Sequence, residues 1–558
     1  MHGGEMKGSD AIARILKQEG VDFMGVIPMN TLEEAAARNG VRPMIFRQER
    51  VGVNMADGFS RVSNGRRIGV FSMQAGPGAE NAFAGVAHAY ADSVPILLLP
   101  ASSGMDRKGI HPDFAPSRTY RDVTKWSDMI TTPQRIPEMM RRAFTNLKTG
   151  RLGPVMVEMP RDVLRGDIDD DLVAKYNPVR PRKSAGDPQD VKVAARMLLA
   201  AKKPFIQAGQ GVLYAEATDE LVELAELTQI PVMTTMAGKS AMPENHVLAL
   251  GTRSGTTTGG VMHWLNESDL VFSIGTSMTA LHIGADQIAE KVIIHSTNEL
   301  QDLNKDYDPD HAIIGDAKLV LKQMIAEVKE QLGSQQRVQN GTATEVQSIK
   351  DAWLAEWMPI LTSAETPINP YRVIWELMHT VDRKNAIVTH DSGSPRDQSI
   401  PFYEAISPRG FIAWGKSTQL GYSLGVAMGA KMAAPEKLAV NIIGDYGFGF
   451  IGMDIETAVR EKIPVLTILL NNQTMGIYSP SSFPTANDLY GTKSTGGDYA
   501  MVAQALGGYN ERVVQPSEVA PAIRRAQEVI SNGQPALLEI MTSEEHAFPF
   551  RGAVGGAR

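Results

Sequence analysis

The stretch Gly444-Asp445-Tyr446-Gly447-Phe448-Gly449-Phe450 decides how this chain is read, together with Asn471-Asn472 downstream. The run AVNII (439–443) is strand-like and ends at Gly444. A carboxylate placed there stands at the carboxyl edge of a parallel sheet, where α/β folds bind ligands. The glycines let backbone N–H groups approach a phosphate, and the next helix turns its positive end toward it. Asn472 closes the following strand, IPVLTILLNN, 27 residues after Asp445, so both polar groups reach one edge. One carboxylate, one amide oxygen, a main-chain carbonyl and phosphate oxygens form a hard-oxygen set suited to Mg²⁺. A lone Gly-Asp turn would be an ordinary loop; the asparagine pair at this separation makes it a metal and phosphate site.

Working outward, apolar runs alternate with helical stretches along the whole chain, the pattern of parallel sheets covered by helices. In residues 1–170 the runs are RIGVFSM, SVPILLLPA and GPVMVEMP; the charged, proline-bearing stretch GDIDDDLVAKYNPVRPRKSAGDP then reads as a linker. Residues 188–333 hold KPFIQAG, IPVMTTM, DLVFSIG and KVIIHS, and a polar stretch, GSQQRVQNGTATE, follows. Residues 350–558 hold NAIVTHD, LAVNIIGD, IPVLTILLNN and ALLEIM. The expected fold is α/β, with three doubly wound parallel-sheet domains. The length of 558 residues agrees with three or four domains. The first and third blocks share the same alternation.

Composition narrows the function. Fifty-five Lys and Arg against 63 Asp and Glu give a net charge of −8, which argues against general nucleic-acid binding. There is no cysteine, which excludes disulfides, thiolate zinc sites, iron–sulfur clusters and a cysteine nucleophile. No apolar run is long enough for a membrane span, and the first residues lack the uncharged core of a signal peptide. The expectation is a cytoplasmic protein with no membrane partner.

The Gly-Asp and Asn-Asn pair resembles the cofactor motif of thiamine diphosphate (ThDP) enzymes. Over nearly the whole chain the similarity follows the acetolactate synthase-like branch, which includes oxalyl-CoA decarboxylase and 2-hydroxyacyl-CoA lyases. The resemblance implies a pyrimidine-binding domain (1–170), a central domain (188–333) and a diphosphate-binding domain (350–558). It implies that Asp445, Asn472 and the carbonyl of Thr474 hold Mg²⁺, with Gly444, Tyr446, Gly447, Met475 and Gly476 around the cofactor. Tyr446 stands where Gly, Ser or Ala is usual. In FRQERVGVNMADGFSR, Glu49 matches the glutamate that bonds N1′ of the aminopyrimidine, so that the ring removes the thiazolium C2 proton and makes the ylid. Gly76, Gly78 and Asn81 in QAGPGAEN resemble the turn beside the cofactor; Asn81 either faces the pyrimidine or caps a helix. Ser392, Gly393 and Ser394 match the diphosphate loop. Leu420 matches the bulky residue that props ThDP in its bent form, and Thr418 and Leu420 offer main-chain groups to the pyrimidine.

Departures bear on the substrate. The acetolactate synthase run Ala-Phe-Gln-Glu is replaced by Ile110-His111-Pro112-Asp113, and the tryptophan expected after the asparagine pair is missing. His111 is either an acid or base near the site or a surface loop residue. GFGFIGMDIET resembles the CoA-using branch, and Tyr478 is either a substrate contact or a packing residue. The central block resembles the domain that carries FAD or ADP in relatives. Its IIHSTNEL lacks the ribose-binding carboxylate, and GTSMTALHIG departs from the FAD segment, which argues against FAD and leaves ADP open. The tail EEHAFPFRGAVGGAR is either a loose end or a lid.

The reading is a ThDP- and Mg²⁺-dependent 2-oxo acid decarboxylase and carboligase that works through a ylid and an enamine. The alternatives are a 2-hydroxyacyl-CoA lyase or oxalyl-CoA decarboxylase acting on an acyl-CoA, and a catalytically silent ThDP-fold binding protein. In this family Glu49 and the metal motif come from different subunits, so a homodimer or homotetramer is implied.

Overall fold

The computed structural model describes residues 5–28, 31–280, 288–334, 338, 340–479 and 481–550. The end of GTSMTALHIG (281–284) and the last part of the tail (551–558) lie outside the described residues.

Every apolar run quoted above becomes a parallel strand, among them Gly69–Gln74, Ile96–Ser102, Leu270–Ile274, Leu438–Gly444 and Val465–Asn471. Strands such as Val465–Asn471 are buried along their whole length, which is why they read as continuous apolar runs rather than alternating ones. Three six-stranded sheets result. Numbered along the chain within its own sheet, the first sheet runs 2-1-3-4-6-5, and the third has the same order. The central sheet runs 3-2-1-4-5-6, the order typical of dinucleotide-binding folds. Helices cover both faces.

The charged stretch expected to be a plain linker is partly built into the first unit. Asp167–Asp169 pairs antiparallel with Glu5–Lys7, and Tyr176 donates its hydroxyl to the buried Glu19 at 2.6 Å. Strand pairing and one buried hydrogen bond thus outweigh its polar composition.

The first and third units meet where helix Glu49–Val62 crosses helix Ser423–Ala433. The contact is backbone on backbone. A Cβ on Gly58 would lie 2.2 Å from the Val426 carbonyl oxygen; on Gly425, 2.6 Å from that of Val51; on Gly429, 2.1 Å from that of Met55. Only glycine allows this approach.

A buried ionic cluster closes the crossing. Arg61 bonds Asp57 (2.6 Å) and Asp92 (3.0 Å), Tyr422 donates to Asp57 at 2.7 Å, and Gln210 of the central unit accepts from Arg61 at 3.3 Å. Burial opposes the Arg61 charge, but Asp57, Tyr422 and Asp92 hold its pKa well above the usual value. All three units therefore join in one cluster, with the Arg61 guanidinium also 6.0 Å from the Tyr422 ring.

Gly429→Ala is expected to destabilise the protein by about 1–3 kcal/mol, because main chain cannot rotate away from the new methyl. This outweighs the roughly 1 kcal/mol gained in helix propensity. Urea unfolding checks it, and a stabilised variant would show that the helices do not touch as described.

Candidate active site

In the third sheet the strand order reverses between Ala386–His390 and Leu438–Gly444, which are paired neighbours. The loops that leave these strands must therefore diverge and open a crevice at the carboxyl edge. One loop is Asp391-Ser392-Gly393. Gly393 takes φ +83° and starts helix Ser394–Phe402, while the Ser392 hydroxyl donates to the Thr418 carbonyl at 2.8 Å. Asp391 is fully buried. Its carboxylate accepts the N–H groups of Gly421, Tyr422 and Ser423 (2.9, 2.9 and 3.1 Å) and the Ser423 hydroxyl (2.8 Å). It fixes both the loop carrying Thr418 and Leu420 and the start of the crossing helix.

The other loop is Gly444-Asp445. Asp445 opens the short helix Asp445–Phe448 and is 2% exposed. Burial raises its pKa, and the Thr495 hydroxyl at 2.6 Å and nearby backbone N–H groups hold that rise down. A Cβ on Gly447 would come within 2.8 Å of Asp391 Oδ1, so the two loops pack directly on each other. The Tyr446 side chain is exposed, and its ring stands edge-on to Phe450 at 5.8 Å.

Asn472 follows the neighbouring strand, and its side-chain oxygen accepts the Thr474 N–H at 3.1 Å. The Thr474 carbonyl accepts the Gly476 N–H at 2.9 Å, and Met475 N–H bonds the Lys493 carbonyl at 2.9 Å. A Cβ on Gly476 would lie 2.5 Å from the Asn472 amide nitrogen, so a larger residue there would turn the Asn472 side chain. Tyr478 is half exposed and packs on Phe483 at 5.4 Å.

Glu49 is the first residue of its helix and is buried. Asn81 donates its amide to Glu49 Oε2 at 3.2 Å, while the cap of helix Pro77–Ala91 is Gly76. Gly76 has φ +70° with open space where a Cβ would point, and a Cβ on Gly78 would sit 3.5 Å from Glu49 Oε1. The turn carrying Glu49 rests on the metal-motif segment of its own chain. Arg47 N–H donates to Asp454 Oδ1 at 2.9 Å, Arg50 donates to the Leu420 carbonyl and lies 5.5 Å from the Phe450 ring, and Asn54 reaches the Gly421 carbonyl at 3.4 Å. His111 is exposed. Its neighbours Ile110, Pro112 and Asp113 line a small cleft of about 260 Å³ that also reaches Gly76. Sequence reading gave no role to Asp391, Arg50 or Thr495, whose partners are far along the chain.

A larger cleft of about 1050 Å³ opens at the reversal point of the central sheet, with Gly275, Arg253, Asp316, Lys416 and Thr418 in its walls. Lys416 donates to Ser277 at 2.7 Å. Burial lowers its pKa, against the attraction of Asp92. Strand Val292–Thr297 ends in Ser296 and Thr297, followed by Asn298 and Glu299, and Asp302 and Asp316 stand in the cleft wall.

Three family profiles match in chain order: the thiamine pyrophosphate enzyme N-terminal TPP binding domain over residues 6–121, the central domain over 191–324, and the C-terminal TPP binding domain over 391–540. The chain belongs to the thiamine pyrophosphate enzyme family. It is 30% identical to a probable acetolactate synthase large subunit of Methanocaldococcus jannaschii, covering 98% of this chain and 93% of the relative. It is 26% identical to the acetolactate synthase isozyme 3 large subunit of Escherichia coli K12, covering 99% and 97%. It is 27% identical to a glyoxylate carboligase of Escherichia coli O157:H7, covering 96% and 93%. The protein is therefore a ThDP-dependent enzyme of the acetolactate synthase-like branch, in a class that makes or breaks carbon–carbon bonds. Among the described residues no helix is long and apolar enough to cross a membrane.

The residues present fit the family's cofactor. A buried carboxylate, an amide oxygen and a loop carbonyl, the last two each accepting a single N–H, are the hard oxygen donors a divalent ion takes. The glycine-edged turn at Gly76 offers a close approach beside Glu49.

Asp454 joins the Glu49 turn to the metal-motif segment, and its Oδ1 accepts both the Arg47 N–H and the Thr457 hydroxyl. Burial raises its pKa from 3.8 to about 6, with the bonds from Arg47 and Thr457 opposing the rise. A raised folded pKa favours the protonated form, so stability is fully present below the unfolded value and is lost as pH rises through about 6. Asparagine keeps the acceptor and does not titrate. Asp454→Asn is expected to stabilise the protein by about 1–3 kcal/mol above neutral pH and hardly at all near pH 4. Denaturant unfolding at both pH values decides; an equal difference at the two would refute the burial argument.

Proposed function

We propose that this protein is a Mg²⁺- and ThDP-dependent 2-oxo acid decarboxylase and carboligase of the acetolactate synthase type. The observation that carries the reading is the meeting of Asp445, Asn472, Thr474 and the Ser392–Ser394 turn at one carboxyl edge, in a chain whose buried Glu49 is held by Asn81. Asp445, Asn472 and the Thr474 carbonyl would hold Mg²⁺. Ser392, Gly393 and Ser394 would take the diphosphate, together with Gly444, Tyr446, Gly447, Met475 and Gly476, while Thr418 and Leu420 hold the pyrimidine. Bound ThDP supplies a thiazolium carbon that attacks a carbonyl and accepts the electron pair of the broken bond. Glu49 holds a proton at the pyrimidine N1′ and so tunes the ring nitrogen that deprotonates that carbon. Asn81 orients Glu49, and its apolar surroundings keep water from the carboxyl.

The substrate in this reading is a small 2-oxo acid, and the assembly is a homodimer or homotetramer in the cytoplasm. Ile45, Tyr446, Phe450 and Met453 are exposed beside the Glu49 turn, a surface suited to a second copy. The central cleft has the position of a nucleotide site. The segment GTSMTALHIG, which departs from the FAD segment of relatives, argues against FAD and leaves ADP as the nucleotide to test.

The decisive experiment supplies ThDP and Mg²⁺ with pyruvate or with a 2-hydroxyacyl-CoA and follows products by NMR. The expected result is CO₂ with acetolactate or acetaldehyde from pyruvate. Formyl-CoA and an aldehyde or ketone from the thioester alone would overturn the 2-oxo acid assignment. Glu49→Gln is expected to lower turnover by about 10²–10⁴-fold while ThDP binding persists. An unchanged rate would remove Glu49 from the mechanism.

A further inference from the structure

The segment Gly491–Thr495 lies across the second half of the metal motif as a short antiparallel strap. The Met475 N–H bonds the Lys493 carbonyl, the Thr495 N–H bonds the Gln473 carbonyl at 2.9 Å, and Thr474 and Ser494 face each other as a β-bridge. The backbone of Thr495 therefore belongs to the Asn472–Thr474 arm. Its side chain crosses to the other arm, where Oγ1 donates to Asp445 Oδ2 at 2.6 Å. One residue spans the two arms, which lie on neighbouring strands of the same sheet.

The strap is itself anchored. Lys493 is buried, and its ammonium pairs with Glu544, whose Oε1 also lies 3.2 Å from His546 Nε2. The next residues are fixed in turn. Glu545 accepts from Asn369 at 2.8 Å, and Tyr371 donates to the Ala547 carbonyl at 2.6 Å. Lifting the strap would strand a buried lysine without its carboxylate, a costly state.

We propose that Thr495 is a positioning residue of the metal site, held in place by the Lys493–Glu544 pair. The proposal rests on the Mg²⁺ reading of Asp445 and Asn472. A hydroxyl that donates to one carboxylate oxygen fixes rotation of the Asp445 head group before a cation arrives. The bond is short and charge-assisted, and Asp445 is almost wholly shielded from competing water. The backbone of the same residue sets the distance between Asp445 and the Asn472–Thr474 loop. Outer partners of this kind set metal affinity as well as ligand orientation.

The test is a Mg²⁺ titration of the full-length protein at saturating ThDP, read by calorimetry. Thr495→Val keeps the branched shape and removes the donor; Thr495→Ser keeps the donor. The expected result is a Mg²⁺ Kd raised about 10–100-fold by valine and nearly restored by serine. A purely structural threonine would lower the thermal midpoint in EDTA but leave the Mg²⁺ Kd unchanged, and that outcome overturns the proposal. Where the valine variant does not fold, Lys493→Met decides. It frees the strap without touching Asp445 and is expected to weaken Mg²⁺ several-fold; an unchanged Kd overturns the proposal. Binding by the natural protein that Asp445→Asn abolishes, with Thr495→Val unaffected, sinks Thr495 alone. A natural protein that binds no Mg²⁺ with ThDP sinks the metal reading as well.

Discussion

The close crossing of two helices governs the rest of the molecule. Gly58, Gly425 and Gly429 remove the Cβ at three points of the contact, so the first and third units approach there to main-chain distance. Such a contact has little freedom, because backbone meets backbone at those points. One of the crossing helices begins at Glu49, and the other follows the loop that carries Leu420. The crossing therefore sets where the acid stands relative to the metal-motif segment of the same chain. Arg47 with Asp454 and Arg50 with the Leu420 carbonyl secure the ends of that arrangement.

Around the crossing, burial of charge is tolerated because each carboxylate has a defined set of donors. Asp391 takes four donors, three of them backbone N–H groups at the start of a helix. These donors offset the cost of burying the carboxylate. Asp445 takes the Thr495 hydroxyl and backbone N–H groups of its own turn and of Gln473, and burial raises its pKa. The two aspartates, on adjacent strands, are held by different segments: Asp391 by Gly421–Ser423, Asp445 by its own turn and the Thr495 strap. The distinction rests on which segments supply the donors and could not be made from the residue type.

The meeting of Gly444-Asp445 and Asn471-Asn472 at one sheet edge was legible in the sequence because each half obeys a local rule. Each ends an apolar strand, and parallel strands bring their carboxyl ends to one edge. Gly476 and Gly447 could be recognised as turn residues, although the atoms that a side chain there would meet, Asn472 Nδ2 and Asp391 Oδ1, were not deducible. The edge strands Arg42–Ile45, Trp126–Met129 and Tyr509–Val513 carry polar and charged side chains and gave no apolar run. Asp391, Arg50 and Thr495 act on partners 30 to 370 positions away. Thr495 also sits in a Gly-, Ser- and Thr-rich stretch that reads as any loop. Contacts that depend on how sheets and loops meet leave no periodic trace in the chain.

The shared 2-1-3-4-6-5 order of the outer sheets gives the division of labour a physical basis. Both sheets reverse order beside their first strand, and both place a glycine-bearing turn at that point: Gly76 after one strand, Gly393 and Gly444 after the others. Identical topology thus produces two similar crevices with different chemistry. The first pairs its turn with one buried acid and an amide donor. The third gathers a carboxylate, an amide and loop carbonyls suited to a cation and its phosphates. A long cofactor with a neutral ring at one end and a charged diphosphate at the other needs both environments, and neither sheet alone can provide them. The central sheet, with its different order, opens its own cleft and meets the other two at the Arg61 cluster. The geometry of that junction limits how far any one unit can move without disturbing the other two.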